Sequence, residues 1–164
     1  MFLETHTFFA NLSWILLIII LVSRPLAEIT KNKILFRVLR YRKQLGVICG
    51  LAAIVHVLFF LLGSGLAGIY FLDAEFWSLQ NFYGWGSLAV VAMLFPLLTS
   101  NNFSLHFFGK YWKKIQRGTY LVFIATAIHI AMVKDEWFEV MGPVLIWLFL
   151  WTWAELRRRK RFKV

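Results

Sequence analysis

Cysteine, proline and acidic side chains are all scarce in this chain. The single cysteine, Cys49, excludes an intramolecular disulfide, and it lies inside an apolar run where a small packing residue is expected. Of the three prolines, Pro96 and Pro143 fall near the ends of apolar runs, where a helix tolerates a bend or a start. No internal repeat or low-complexity segment is evident. The polar segments are too short to build a soluble catalytic domain, so chemistry needing a Rossmann-type fold would have to come from another polypeptide. No acid–base pair, nucleophile elbow or phosphate loop appears, and any catalysis would come through a cofactor.

What remains is apolar. Hydrophobic residues make up 60% of the 164 and charged residues only 16%, a balance that belongs to membrane proteins. A hydrocarbon core of roughly 30 Å needs about 20 apolar residues per crossing. Five runs qualify, at 8–27, 45–70, 80–99, 118–133 and 137–156. They are continuously apolar rather than alternating, so helices are expected instead of barrel strands, and in lipid each backbone group must then be paired within its own segment. The expected fold is an all-α membrane bundle of about five helices, forming one domain over residues 1–164. The first run lacks the basic flank and small-residue cleavage pattern of a signal peptide, and it counts as a helix of the bundle.

The net charge of +10 does not point to nucleic acid, because the cations sit in membrane-proximal blocks rather than on the face of a soluble fold. One block runs from Lys31 to Lys43, a second from Lys110 to Arg117, and a third from Arg157 to Lys163. Against them stand Glu4, Asp73, Glu75, Asp135, Glu136 and Glu139 with one cation, Lys134. By the positive-inside rule the basic blocks are cytoplasmic, with the N-terminus outside and the C-terminus inside. The lipid bilayer is the first partner implied, and anionic headgroups suit most of the basic residues.

Ionisable side chains at mid-depth in a span are functional candidates, because hydrocarbon penalises them unless something satisfies them. His56 and His129 each lie eleven residues beyond the cytoplasmic start of their runs, about 16 Å up at 1.5 Å per residue. Two neutral imidazoles at one depth, on two helices of like direction, suit the two axial positions of a haem iron. Apolar or flat Ile54, Leu58, Phe59, Leu121, Phe123 and Ile128 would surround the macrocycle. Small Ala52, Ala53, Ala125, Thr126 and Ala127 would give it room. The same histidines also suit plain interhelical hydrogen bonds, and the residues alone leave both uses open. His6, in the N-terminal tail, and His106, in a loop, read as solvated or interfacial.

The stretch from Arg40 to Gly46, reading RYRKQLG and followed by His56, resembles the first signature of the ferric-reductase-like transmembrane family. Thr99-Ser100 and the run from Gly109 to Val122, followed by His129, resemble its second. Within that family the likeness is to haem-binding membrane subunits of bacterial methionine-sulfoxide reductase systems. It covers nearly the whole chain, without an initial helix that longer relatives carry. The resemblance implies a multi-pass protein of the bacterial inner membrane that carries electrons on haem b. They would pass from a cytoplasmic or quinol donor to an acceptor on the outer side. It places His56 and His129 at ligand positions. Relatives commonly have histidine where this chain has Gln116, so one haem is expected, with Gln116 bonding a propionate, a flavin or water at the inner face. The alternative class is a small transport or assembly protein with structural or proton-relaying histidines.

Overall fold

The computed structural model describes residues 2–64, 72–135 and 137–161. Over those residues the chain is helical, with no strand among them. The five apolar runs become α1 (Phe2–Thr30), α3 (Arg42–Gly63), α4 (Phe82–Leu98), α7 (Thr119–Lys134) and α8 (Trp137–Arg161). The basic connections hold three shorter helices, α2 (Lys33–Arg40), α5 (Asn102–Phe108) and α6 (Trp112–Gln116). Stretches 4–30, 42–63 and 102–134 are long and apolar enough to cross a bilayer, and α4 is a shorter apolar helix of 17 residues. The chain is a multi-pass membrane protein. The expected end of the second run, up to residue 70, lies outside the described residues.

Local signals set the boundaries. Asn32, Asn81 and Asn101 cap α2, α4 and α5, each side-chain oxygen accepting from a backbone N–H of the first turn. Asp135 ends α7 in the left-handed region, φ 57°, which aspartate tolerates better than most residues. Between α6 and α7 the chain turns tightly at Arg117 and Gly118, with Gly118 N–H donating to the Ile115 carbonyl at 2.9 Å.

Two antiparallel helix pairs, α1 with α3 and α4 with α7, make the most extensive contacts, and α8 packs on both α1 and α7. The register of the first pair is fixed at two points. Ser13 Oγ donates to the Cys49 carbonyl at 3.2 Å, and His56 Nδ1 lies 2.9 Å from the His6 carbonyl. The second pair is fixed by His129 Nδ1 at 2.7 Å from the Phe82 carbonyl, and α6 is tied to the end of α4 by Gln116 Nε2 at 3.0 Å from Thr99 Oγ1. All three basic segments come to one end of the bundle. Lys43 Nζ meets Asn102 Oδ1 at 3.3 Å, and Arg158 Nε lies 3.6 Å from Glu28 Oε2, itself paired with Arg24.

The apolar core sits where α1, α7 and α8 meet. Phe123 is fully buried, stacked on Trp14 at 5.3 Å and edge-on to Trp147 at 5.7 Å. Ala127 and Ala131, both fully buried, pack against Val140 of α8. Lipid offers apolar side chains no gain from leaving water, so small residues that let helices approach closely carry this packing. With that face closed, the opposite faces of α1, α3, α4 and α7 are left around an internal space.

Candidate functional site

That space is one cavity of about 860 Å³ running along the bundle between α1, α3, α4 and α7. Its volume is in the range of small-molecule and cofactor sites. His56 and His129 both face it. At the opposite end it is lined by Arg42, Lys43, Lys113 and Arg117.

Each imidazole is held the same way. A carbonyl oxygen can only accept, so His56 Nδ1 and His129 Nδ1 carry their protons toward the carbonyls of His6 and Phe82. Each Nε2 is thereby left with its lone pair, the state a metal-ligating histidine needs, and its ring orientation is fixed by the second nitrogen's hydrogen bond. Among the described residues no group of three or more His, Cys, Asp or Glu gathers to hold a bare ion. Two imidazoles with free Nε2 atoms, facing a largely apolar cavity, fit an iron whose other positions are filled by a macrocycle.

Glycine lets side chains of the site approach the helix backbone closely. A Cβ on Gly86 would stand 2.9 Å from His129 Nδ1 and 3.0 Å from its Cε1. The bare backbone of α4 is therefore what lets that imidazole lie across it. Gly50 is in contact in the same sense, its added Cβ falling 2.8 Å from a Leu97 methyl, while a Cβ on Gly46 would meet nothing within 4 Å. All three line the cavity.

Several expectations about the lining are corrected. None of Ile54, Leu58, Phe59, Leu121, Phe123 and Ile128 faces the cavity. Leu58 is 52% exposed and Leu121 47%, on the outside of the bundle, while Phe123 belongs to the core. Of the small residues, Ala53 and Thr126 line the space. Ala52, Ala125 and Ala127 are buried in helix packing instead. At about 100° of turn per residue only one side of each helix faces the space, so much of the wall comes from residues three, four and seven away, with Val57 and Ile130 beside the histidines. From α3 these are Cys49, Ala53, His56 and Phe60, and from α7 they are Val122, Thr126, His129 and Val133.

His6 is the other correction. It is not a solvated tail residue: α1 extends back through it, its ring lies 5.4 Å from that of His56, and it lines the cavity. The signal was present as a stripe at helical spacing, His6, Ala10, Ser13, Leu17, Ile20 and Arg24, all of which face the same space. His106 lies on α5, exposed, with Nδ1 2.7 Å from the Asn102 carbonyl one turn back and away from the cavity.

Gln116 lines the far part of the same cavity. Its amide nitrogen donates to the Pro96 carbonyl at 3.1 Å as well as to Thr99 Oγ1. Gln116 bonds the C-terminal end of α4 whereas His129 bonds Phe82 at the N-terminal end, so it is not part of the histidine cluster. Nearby, Trp112 Nε1 donates to the Thr99 carbonyl at 2.8 Å, which fastens α6 across the end of α4.

The family described as "Ferric reductase like transmembrane component" matches residues 7–127, which include His56 and Gln116 but stop short of His129. Among curated proteins the chain is similar to those named protein-methionine-sulfoxide reductase heme-binding subunit MsrQ from Brucella ovis, Brucella canis and Brucella suis. Each is 30% identical over 153 residues, covering 88% of this chain and 66% of the relative. The chain thus spans a little under two thirds of the length of these relatives. No solved structure matches.

Proposed function

The chain belongs to the ferric-reductase-like transmembrane family, and from that premise we propose that it binds one haem b between His56 and His129 and carries electrons across the membrane. One observation carries the reading. Two histidines on different helices face one cavity, each with Nδ1 held by a main-chain carbonyl and Nε2 left free. Relatives named as haem-binding subunits support it. In that role the chain is the membrane subunit of a bacterial oxidoreductase system in the inner membrane, working with a separate catalytic partner.

Bound there, haem supplies a one-electron carrier whose potential the protein tunes through axial ligands and surrounding polarity. His56 and His129 would hold the iron, with the carbonyls of His6 and Phe82 fixing their tautomers and raising their basicity. The apolar stretch formed by Ala53, Val57, Val90 and Val122 keeps water from the site. Gln116 uses its amide N–H groups on α4 and acts as a brace at the other end. The basic end faces the cytoplasm, where a donor docks, and the acidic end with Asp73, Glu75 and Asp135 faces the acceptor.

The side assignment has its own check. In a Cys49→Ser background, cysteines introduced beside Asp73 or Asp135 are expected to react with an impermeant thiol reagent on intact cells. Those beside Lys113 or Arg158 are expected to react only after lysis. The reverse pattern would contradict the orientation while leaving the haem site untouched.

Vesicles test the function itself. Purified protein is placed in lipid vesicles that enclose an impermeant one-electron acceptor, with an impermeant reductant outside. Haem-loaded protein should reduce the enclosed acceptor, and the His56→Ala/His129→Ala double variant should not. Equal reduction by both would sink the electron-transfer reading.

A further inference from the structure

The cavity is charged at both ends, and the helical rise decides which end a haem at His56 and His129 can use. Arg42 lies fourteen residues before His56 on α3, about 21 Å of rise, and Arg117 lies beyond the start of α7 at Thr119, itself ten residues or about 15 Å before His129. Both distances exceed the reach of a carboxylate arm from an iron held by these histidines. In the other direction Lys134 lies five residues after His129, about 7.5 Å of rise. Along the helix axis it is the nearest cation to His129 on α7. Lys134 is exposed at the close of α7 and lines the cavity there. It is the one cation in the acidic connections at that end of the chain.

His6 supplies a second group. Its Nδ1 is buried with no hydrogen-bond partner, and it is the one nitrogen of that ring shut off in this way. A buried N–H left orphaned is costly, so the favoured tautomer carries its proton on Nε2, and the residue lines the cavity. His6 lies beside His56 on the wall formed by α1, while Lys134 closes the wall formed by α7. Two acidic side chains share the vicinity, Asp135 next to Lys134 and Glu4 on α1.

We propose that Lys134 and His6 hold the two carboxylates of the haem, so that the ligand enters this cavity with its charged edge toward the Lys134 end. This rests on the haem reading above. The Arg42–Arg117 end is then left without any part of the haem. A cation beside a propionate offsets negative charge that would otherwise favour the ferric state, so the pair raises the midpoint potential.

The test is a redox titration of the purified protein followed by its absorption spectrum. Lys134→Met should keep the low-spin spectrum and the haem content. At a fixed applied potential its reduced-to-oxidised ratio should fall several-fold relative to wild type. Lys134→Glu should lower it further, and Lys134→Arg should restore it. His6→Phe, which keeps a ring against His56 but removes the N–H, should move the ratio in the same direction by less. When the apoprotein is loaded with haem dimethyl ester, whose carboxylates are blocked, wild type and Lys134→Met should titrate alike. Normal haem binding with no change in Lys134→Met, or a Lys134→Met shift of equal size with the ester, would overturn the proposal and leave the His56–His129 site standing. A wild-type protein without haem removes both readings together.

Discussion

His129→Ala is expected to lose the low-spin haem spectrum while the protein still inserts in the membrane. The imidazole faces the cavity and makes one hydrogen bond, to the Phe82 carbonyl. Interhelical hydrogen bonds of this kind return on average about 0.6 kcal/mol. The bundle therefore survives its removal, whereas a haem held between His56 and His129 would lose one of its two protein ligands. His56→Ala should behave the same way, since its imidazole is held by the His6 carbonyl and ring alone among the contacts described above. His106→Ala should leave the spectrum unchanged, because that ring is exposed on α5. Reduced-minus-oxidised difference spectra of the purified variants, normalised to protein, are the measurement. Full b-type intensity in both His56→Ala and His129→Ala would remove the assignment.

Gly86→Ala is the second large effect, and it comes from a residue with no chemistry of its own. The added methyl would stand 2.9 Å from His129 Nδ1, inside van der Waals contact and on the nitrogen that bonds Phe82 at 2.7 Å. Helix backbone cannot give way cheaply at a packed interface, so the imidazole must move and its hydrogen bond must lengthen or break. Loss of an orienting partner of a metal-ligating histidine costs about 10–100-fold in affinity. A drop of that order in haem affinity is expected, read by titrating haem into the apoprotein. Gly50→Ala is the control. Its methyl meets the far end of the Leu97 side chain, at 2.8 Å, and that side chain can turn aside. Haem content in Gly50→Ala should therefore stay near that of wild type. If the two variants behave alike, His129 is not constrained by α4 in the way the geometry describes.

Both predictions rest on contacts between helices, and this is where the sequence was least legible. The helices themselves could be read from apolar run length, because the bilayer sets a minimum span and permits no unpaired backbone. His56 and His129 could be read from polarity against an apolar background, and both do face one cavity. The wall around them could not be read by adjacency. Which side of a helix a residue takes depends on its angle about the axis and on the helices packed there, and this put Leu58 and Leu121 on the exposed surface and Phe123 in the core while Val57 and Ile130 line the cavity. The glycines were silent for a different reason. In a helix glycine reads only as a propensity cost of about 1 kcal/mol, and its use at Gly86 appears once the partner helix is in place. His6 was obscured by its polar neighbours Glu4, Thr5 and Thr7, which made the start of α1 look like a tail. A search for helical spacing from Arg24 back through Leu17 and Ser13 would have reached it.

The haem-to-protein ratio of the purified wild type, with the spin state of its ferric form, tests the central claim most directly. Two imidazoles with free Nε2 atoms at one end of the cavity, and a glutamine with both amide N–H groups committed to α4 at the other, predict one low-spin, bis-histidine haem per chain. A protein purified without haem would contradict the account. So would a ratio near two, which would require Gln116 or His106 to serve as a ligand.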